Sequence, residues 1–401
     1  MPSVRLPVLD GDPSAPLRPE EPPAATLGPA PRPGPVARAR HRLQHVARDA
    51  QTVVGMYSKR FAPVGPRILQ LAVPAPCDHN CSFCITPFDL PDGRNETNKR
   101  FDYASTLQLI DDAVELRTLR FNICSWGETL LFPRIKELIA HIQARSEGAA
   151  VIKIVTHGAR IEDAGVDFFI DHGVSFWVSL HAGDFETWER IHQPGGTDPR
   201  ARFESMRRSV RRLAASGRNE VTLHNVVCDQ NHDRLGGVLD FAREVGVTRV
   251  NFGMVRSDEG RFLEPAQRLA LRAELPSLIA RADALSLHHN LHSFAFELGE
   301  GAGDAPKHWS PDGDGFYNEN RCYIGWLMTF VNLEGDVMPC CRGAAVGNVQ
   351  GDRFRDIWHE GYADFRSWSV DLPGHTPRPG YDCESCSHVT LNDRARRLVR
   401  R

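Results

Sequence analysis

The chain has no apolar run approaching the roughly 20 residues that a membrane-spanning helix needs. Nor do its first residues carry the apolar h-region of a secretory signal. Both absences set the expectation of a cytoplasmic protein with no membrane partner. Strong charge of one sign is missing too. Against 48 Lys and Arg stand 51 Asp and Glu, a formal net charge of −3, so nothing in the bulk electrostatics calls for nucleic acid. Asp10, Asp12, Glu20 and Glu21 argue against an organelle transit peptide, which is poor in acids.

Cysteine, by contrast, is plentiful. There are ten, at 77, 81, 84, 124, 228, 322, 340, 341, 383 and 386. In a secreted chain an even count reads as disulfides. Without an export signal, closely spaced cysteines more often bind metal or perform chemistry. A length of 401 residues leaves room for one large domain and a smaller second one.

Residues 1–36 are rich in Pro and Ala and cannot bury enough apolar surface to offset ordering entropy, so disorder is expected there. A lead-in at 37–66 contains a helix at about 38–58. From residue 67 to 298 the pattern is regular. Apolar runs rich in Val, Ile and Phe at 68–74, 119–124, 151–156, 174–180, 221–228 and 247–255 alternate with amphipathic stretches. One stretch carries Ile135, Leu138, Ile139 and Ile142 behind Pro133; another carries Leu107, Ile110 and Val114. Six βα repeats make a parallel α/β sheet with right-handed crossovers. A doubly wound sheet and a partial barrel both satisfy this pattern. A Gly- and Asp-rich linker at 299–315 precedes a region at 316–392 that holds five of the ten cysteines, and residues 393–401 form a basic tail read as solvated.

The first apolar run leads into Cys77-Asp78-His79-Asn80-Cys81-Ser82-Phe83-Cys84. A structural zinc takes four protein ligands, and no fourth Cys or His lies at zinc-finger spacing, although His79 or a remote group could complete one. Three thiolates on a four-iron cluster leave one iron open for a substrate or cofactor.

Here the sequence resembles the radical S-adenosylmethionine (radical SAM) superfamily, whose hallmark is CxxxCxxC after the first strand of a partial (β/α)6 TIM-type barrel. An aromatic usually precedes the last cysteine, and Phe83 fills that place. The resemblance implies that Cys77, Cys81 and Cys84 hold a 4Fe–4S cluster whose open iron chelates the methionine moiety of S-adenosylmethionine. One electron then cleaves the sulfonium, and the 5′-deoxyadenosyl radical removes a hydrogen atom from substrate. That cleavage needs a low potential, and thiolate-ligated clusters reach on the order of −400 to −700 mV. Two further stretches are similar to family motifs. Ser125-Trp126-Gly127-Glu128-Thr129 looks like GGEP, so Gly127 and Glu128 are expected at the methionine ammonium. Ser179-Leu180-His181-Ala182-Gly183 looks like SLDG, so Ser179 is expected at the ribose, with His181 departing from the usual Asp. All three motifs follow strand ends, where parallel barrels gather functional groups.

The C-terminal region resembles the Twitch/SPASM auxiliary-cluster domains. It carries Cys322, the turn Gly335-Asp336-Val337-Met338-Pro339-Cys340-Cys341, and Cys383-Glu384-Ser385-Cys386. Full SPASM domains carry seven cysteines, so five imply the shorter form with one 4Fe–4S cluster on Cys322, Cys340, Cys383 and Cys386. The alternative is a four-cysteine zinc ribbon. Cys341 is expected beside the cluster without ligating it. The cysteine layout is most like that of 2-deoxy-scyllo-inosamine dehydrogenase. Cys124 and Cys228, near strand ends, are candidate hydrogen-atom donors, or else buried small apolar residues.

With one auxiliary cluster expected, no N-terminal cobalamin domain and no folded peptide-recognition domain evident in residues 1–60, these readings lead to an enzyme that oxidises or epimerises a small polar molecule such as a sugar or aminocyclitol, fed by an external donor such as flavodoxin or ferredoxin. One alternative is a peptide maturase acting on a ribosomally made precursor, which predicts a partner peptide docked along an edge strand. Another is a zinc-stabilised interaction protein without redox chemistry.

Overall fold

A computed structural model describes residues 34–84, 102–196, 198–255, 261–298, 317, 320–340, 343–371, 380, 381, 383, 386 and 388–399. The expected disorder within 1–33, the whole of the linker at 299–315, and Cys341 lie outside the described residues.

Helix α1 (Pro35–Ser58) starts with Pro at its first turn and leads into β1 (Ile68–Ala72). There follow α2 (Tyr103–Glu115), β2 (Arg120–Cys124), α3 (Ile135–Arg145), β3 (Val151–Thr156), α4 (Val166–Asp171), β4 (Ser175–Ser179), α5 (Phe185–His192), α6 (Pro199–Ala215), β5 (Val221–Val227), α7 (Leu235–Val245) and β6 (Arg249–Met254). Asp102, Asp184 and Asp198 cap their helices by accepting from the N–H of Ala104, Thr187 and Ala201. Strands β1 to β6 lie in sequence order, each parallel to the next. This is the partial (β/α)6 barrel.

Burial alternates along the strands and explains the shape. Leu69, Leu71, Phe121, Ile123, Ile152, Ile154, Phe176, Val178, Leu223, Val250 and Phe252 are all at most 3% exposed and pack beneath the helices. Each such side chain contributes about 1.5–3 kcal/mol by leaving water. The alternate residues line the concave face and touch one another: Gln70 donates to Cys124 Sγ at 3.6 Å, Asn251 contacts His224 at 3.0 Å, and the Trp177 and His224 rings lie 4.9 Å apart. The lumen is therefore polar while the outer face is apolar.

After α8 (Pro265–Ala284), the chain covers the open edge of β6. His288 exchanges backbone hydrogen bonds with Thr248 and Val250, and the Asn290 side chain accepts from Phe252 N and donates to Phe252 O. A sheet edge that would otherwise present unpaired backbone groups is closed in this way. A short helix α9 (Leu291–Glu297) follows.

The cysteine-rich part is continuous with the barrel. Strand β7 (Met328–Val331) pairs parallel with β1, pairing Phe330 with Gln70, and β8 (Asp336–Met338) and β9 (Gly347–Asn348) extend the sheet antiparallel. Helix α10 (Tyr362–Val370), preceded by a π-helical turn, packs behind them. Asp112 of α2 is fully buried and accepts from Arg353 and Arg355, and the indoles of Trp326 and Trp358 donate to Phe61 O and Val64 O. Last comes α11 (Val389–Val399). The tail read as solvated is docked: Ala395 is 3% exposed and Tyr57 Oη donates to Val399 O, while just ahead of the tail the fully buried Asn392 accepts from Tyr323 N and donates to Tyr317 Oη. Its arginines mask a short inward face in the sequence. No helix among the described residues is long and apolar enough to cross a membrane.

Candidate radical and iron–sulfur sites

The Cys77–Cys84 loop leaves the C-terminal end of β1, and its backbone is fixed from two sides. Asn80 N and Ser82 N donate to carbonyls at the end of α5 (His192 at 3.1 Å, Ile191 at 2.9 Å), and Gly195 N donates to Asp78 O at 2.8 Å. On the other side Glu128 N donates to Pro76 O at 2.8 Å. Gly127 is needed at this contact, because a Cβ there would lie 2.3 Å from Ala75 O and 2.5 Å from Pro76 O. The thiols of Cys77, Cys81 and Cys84 are half-buried on one loop at the lumen mouth, a donor set suited to a cluster with one open iron.

Beneath the loop lies a polar layer that the sequence did not single out. Asp78 accepts from His157 Nε2 at 3.0 Å, from Arg160 Nε at 2.8 Å, and from Arg202. Burial opposes its charge, but the His157 hydrogen bond and the neighbouring positive groups hold its carboxyl well below the usual range. His79 stacks on His157 with ring centroids 3.7 Å apart, and its Nδ1 lies 3.2 Å from His192 Nδ1, which is 3.8 Å from Cys81 Sγ. His192 Nε2 bonds Leu180 O, and burial keeps that ring neutral. His79, Cys81 and His192 thus converge tightly enough for a metal ion, as do Cys77, Asp78 and His157. A zinc ion in either group would use only one loop thiol, a poorer match to the donors than a cluster.

Glu128 is 1% exposed and turned into the fold. Its carboxylate accepts from Leu130 N at 2.9 Å, Thr156 Oγ1 at 2.6 Å and His157 N at 2.9 Å. Phe83 meets the His181 ring edge-on at 5.0 Å. Ser179 is half-buried at the end of β4. His181, where the similar family motif has Asp, adopts φ +61°, held there by Val226 N donating to its Nδ1 and by Asn231 donating to its carbonyl. Burial first, then His192 and His224, keeps its ring neutral. Such a left-handed residue between strand and helix is stored strain of the kind found at functional sites. Gly183 is a packing residue, since a Cβ would meet Gly237 O at 2.0 Å.

Cys124 faces the lumen and contacts Gln70 and Leu71 O; burial pushes its thiol up to about 11. Cys228 is fully buried in the turn after β5, and burial pushes it to about 11 as well.

In the C-terminal part Cys322, Cys340, Cys383 and Cys386 converge. Burial first, then the neighbouring thiols of Cys386, Cys340 and Cys383, drive the Cys322 thiol far above its ordinary value. Tyr317 Oη lies 3.1 Å from Cys386 Sγ, and His388 N donates to the same sulfur at 3.3 Å. Four thiols gathered in an apolar pocket, with donors aimed at one sulfur, fit an iron–sulfur cluster.

Both cysteine groups fall within regions that match known families. Residues 75–242 match the Radical SAM superfamily, and residues 322–387 match the SPASM iron–sulfur cluster-binding domain. A PqqA peptide cyclase of Xanthomonas campestris is 26% identical over 326 residues, covering 77% of this chain and 79% of its own. Streptococcus suis SuiB bound to its precursor peptide SuiA shares the fold at TM-score 0.55 and 15% identity, covering 89% of this chain and 76% of that one. The anSMEcpe structure with bound AdoMet and a Cp18Cys peptide does so at TM-score 0.52 and 13% identity, covering 81% and 87%. These relatives correct the expectation of a sugar or aminocyclitol substrate. The relatives that match across most of this chain are named for a peptide, whereas the small-molecule reading rested on cysteine count and on a missing recognition domain.

Proposed function

Because the chain is a radical SAM enzyme with a C-terminal SPASM iron–sulfur domain, we propose that it is a peptide maturase that cross-links a ribosomally made precursor. The observation that carries this reading is similarity to a PqqA peptide cyclase over 77% of this chain and 79% of that one. In this reading Cys77, Cys81 and Cys84 hold the catalytic cluster, and Cys322, Cys340, Cys383 and Cys386 hold the auxiliary one. The bound catalytic cluster and S-adenosylmethionine together supply the 5′-deoxyadenosyl radical that takes a hydrogen atom.

The chain's own residues do the positioning. Asp78, with Arg160, Arg202 and His157, holds the cysteine loop at the lumen mouth. Gly127 lets the exits of β1 and β2 touch, and Glu128 fixes that edge so that its backbone, rather than the carboxylate, faces the cofactor. Phe83 and Ser179 line the remaining wall. A cross-link removes two hydrogen atoms from the peptide, one as an atom and one as a proton with an electron. No thiol has to return hydrogen, so Cys124 and Cys228 have no step here.

The test uses anaerobically reconstituted enzyme, a reductant, S-adenosylmethionine and synthetic candidate precursor peptides, a PqqA peptide among them. The expected result is one 5′-deoxyadenosine for each peptide that loses two hydrogen atoms. Steady 5′-deoxyadenosine formation with the peptide mass unchanged would refute the reading.

A further inference from the structure

Helix α10 carries a side chain that neither cysteine site uses. Arg366 is fully buried, and among the described residues no carboxylate pairs with it. Its Nε donates to Gly325 O at 3.0 Å and its Nη1 to Arg60 O at 3.5 Å, while Nη2 is buried with no hydrogen-bond partner. Aromatic rings enclose it: the guanidinium carbon lies 4.4 Å from the Trp358 centroid, 5.1 Å from Tyr362 and 5.8 Å from Trp326. Burial lowers its pKa to about 9, which leaves it cationic at neutral pH. Ring faces offset part of the desolvation. A lone buried cation remains unfavourable unless an anion lies within its field.

The same helix holds the segments that carry three of the four C-terminal cysteines. Ser369 O accepts from Cys322 N at 2.9 Å. Tyr362 Oη donates to Met338 O at 3.1 Å, two residues before Cys340. Phe365 stacks on Tyr381 with centroids 5.3 Å apart, two residues before Cys383. Tyr362, Phe365, Arg366 and Ser369 recur at the spacing of one helix face. The unpaired cation therefore shares its helix face with the residues that hold the segments of Cys322, Cys340 and Cys383.

We propose that Arg366 is the fixed countercharge of the cluster held by Cys322, Cys340, Cys383 and Cys386, and that it raises the reduction potential of that cluster. The inference rests on the ligand set given above. A cluster bound by four thiolates is anionic and gains a further negative charge on reduction. A buried cation therefore stabilises the reduced form more than the oxidised one.

The test is a redox titration followed by electron paramagnetic resonance. It uses the full chain with Cys77, Cys81 and Cys84 replaced by Ala, so that only the auxiliary cluster contributes. Arg366→Gln should move the midpoint to more negative potential, and Arg366→Lys, which keeps the charge, should restore most of the shift. An unchanged midpoint in Arg366→Gln with the cluster retained would overturn the proposal. So would equal shifts in the Gln and Lys variants, or loss of the cluster in both, since shape rather than charge would then be responsible. If the parent with Arg366 intact binds no iron, the ligand set itself fails, a result separate from any effect at Arg366.

Discussion

Replacing Glu128 tests whether its carboxylate serves the fold or the cofactor. In Glu128→Ala three buried donors lose their acceptor: Leu130 N, Thr156 Oγ1 and His157 N, now held at 2.9, 2.6 and 2.9 Å. Each unsatisfied buried donor costs about 1–3 kcal/mol. A water entering the vacated space would satisfy some of them, so the net loss should be about 3–5 kcal/mol. Glu128→Gln keeps one carbonyl oxygen but turns an amide NH2 toward another donor, and about 1–3 kcal/mol should be lost. Urea unfolding of the cluster-free proteins, followed by circular dichroism, reads both as a drop in midpoint. S-adenosylmethionine affinity measured on reconstituted Glu128→Gln should stay within a few-fold of wild type. The reasoning fails if Glu128→Ala unfolds within about 1 kcal/mol of wild type while affinity falls about tenfold or more. The carboxylate would then face the ligand.

Cys81→Ala should abolish 5′-deoxyadenosine formation, since the loop has no spare thiol; product at the wild-type rate would remove the loop from catalysis. Cys383→Ala with Cys386→Ala should lower iron by about four per chain yet spare some cleavage of S-adenosylmethionine; full iron content would eliminate the second cluster. Asp112 links α2 to residues 353–355. Burial opposes its charge, but Arg353 and Arg355 outweigh that and hold its carboxyl below the usual value. A depressed carboxyl stabilises the contact above its unfolded pKa of about 3.9 and loses that stabilisation as pH falls through the folded value. Hydrogen exchange in 353–356 should therefore stay slow from neutral pH to about 4, after correction for intrinsic rates, and accelerate below it. Asp112→Asn should exchange fast at neutral pH, and equal protection in the variant and wild type would refute the link.

The six barrel strands and both cysteine groups were legible because each signal is local: apolar runs of strand length, CxxxCxxC, and a closing CxxC. The layer beneath the cysteine loop was not. Asp78 meets His157, Arg160 and Arg202 across 79, 82 and 124 residues, and no single Asp, His or Arg at such distances carries a pattern. Glu128 was legible as a motif residue but not in its direction, because two of the three donors that turn it inward come from β3 and the turn after it. The strand β7 escaped for a different reason. Four residues, all buried, show no alternation, and their partner β1 lies some 260 positions earlier. The substrate class was misjudged because a missing recognition domain says little when recognition can reside in a separate protein.

That unforeseen pairing decides how the two cysteine groups face each other. Strand β1 runs directly into the Cys77 loop, and β7 runs beside it in the same direction. Strand β8 then reverses, bringing Met338 opposite Phe330, so Cys340 emerges level with the start of β1 rather than its end. At about 3.3 Å per residue, the five residues of β1 alone separate the two ends by roughly 13 Å. Between them lies the polar lumen of Gln70, Cys124 and His224, bordered by a small apolar group of Ala72, Phe330 and Leu333 against which Met338 packs. A substrate side chain reaching into this lumen would have the radical-generating loop at one end and the auxiliary thiols toward the other. The proposed cross-linking asks for that arrangement, because a hydrogen atom must leave by one route and, once the new bond has formed, an electron must leave by another while a proton is lost. Had β8 continued parallel instead of reversing, Cys340 would open at the mouth beside Cys77, and the far end of the lumen would have no acceptor.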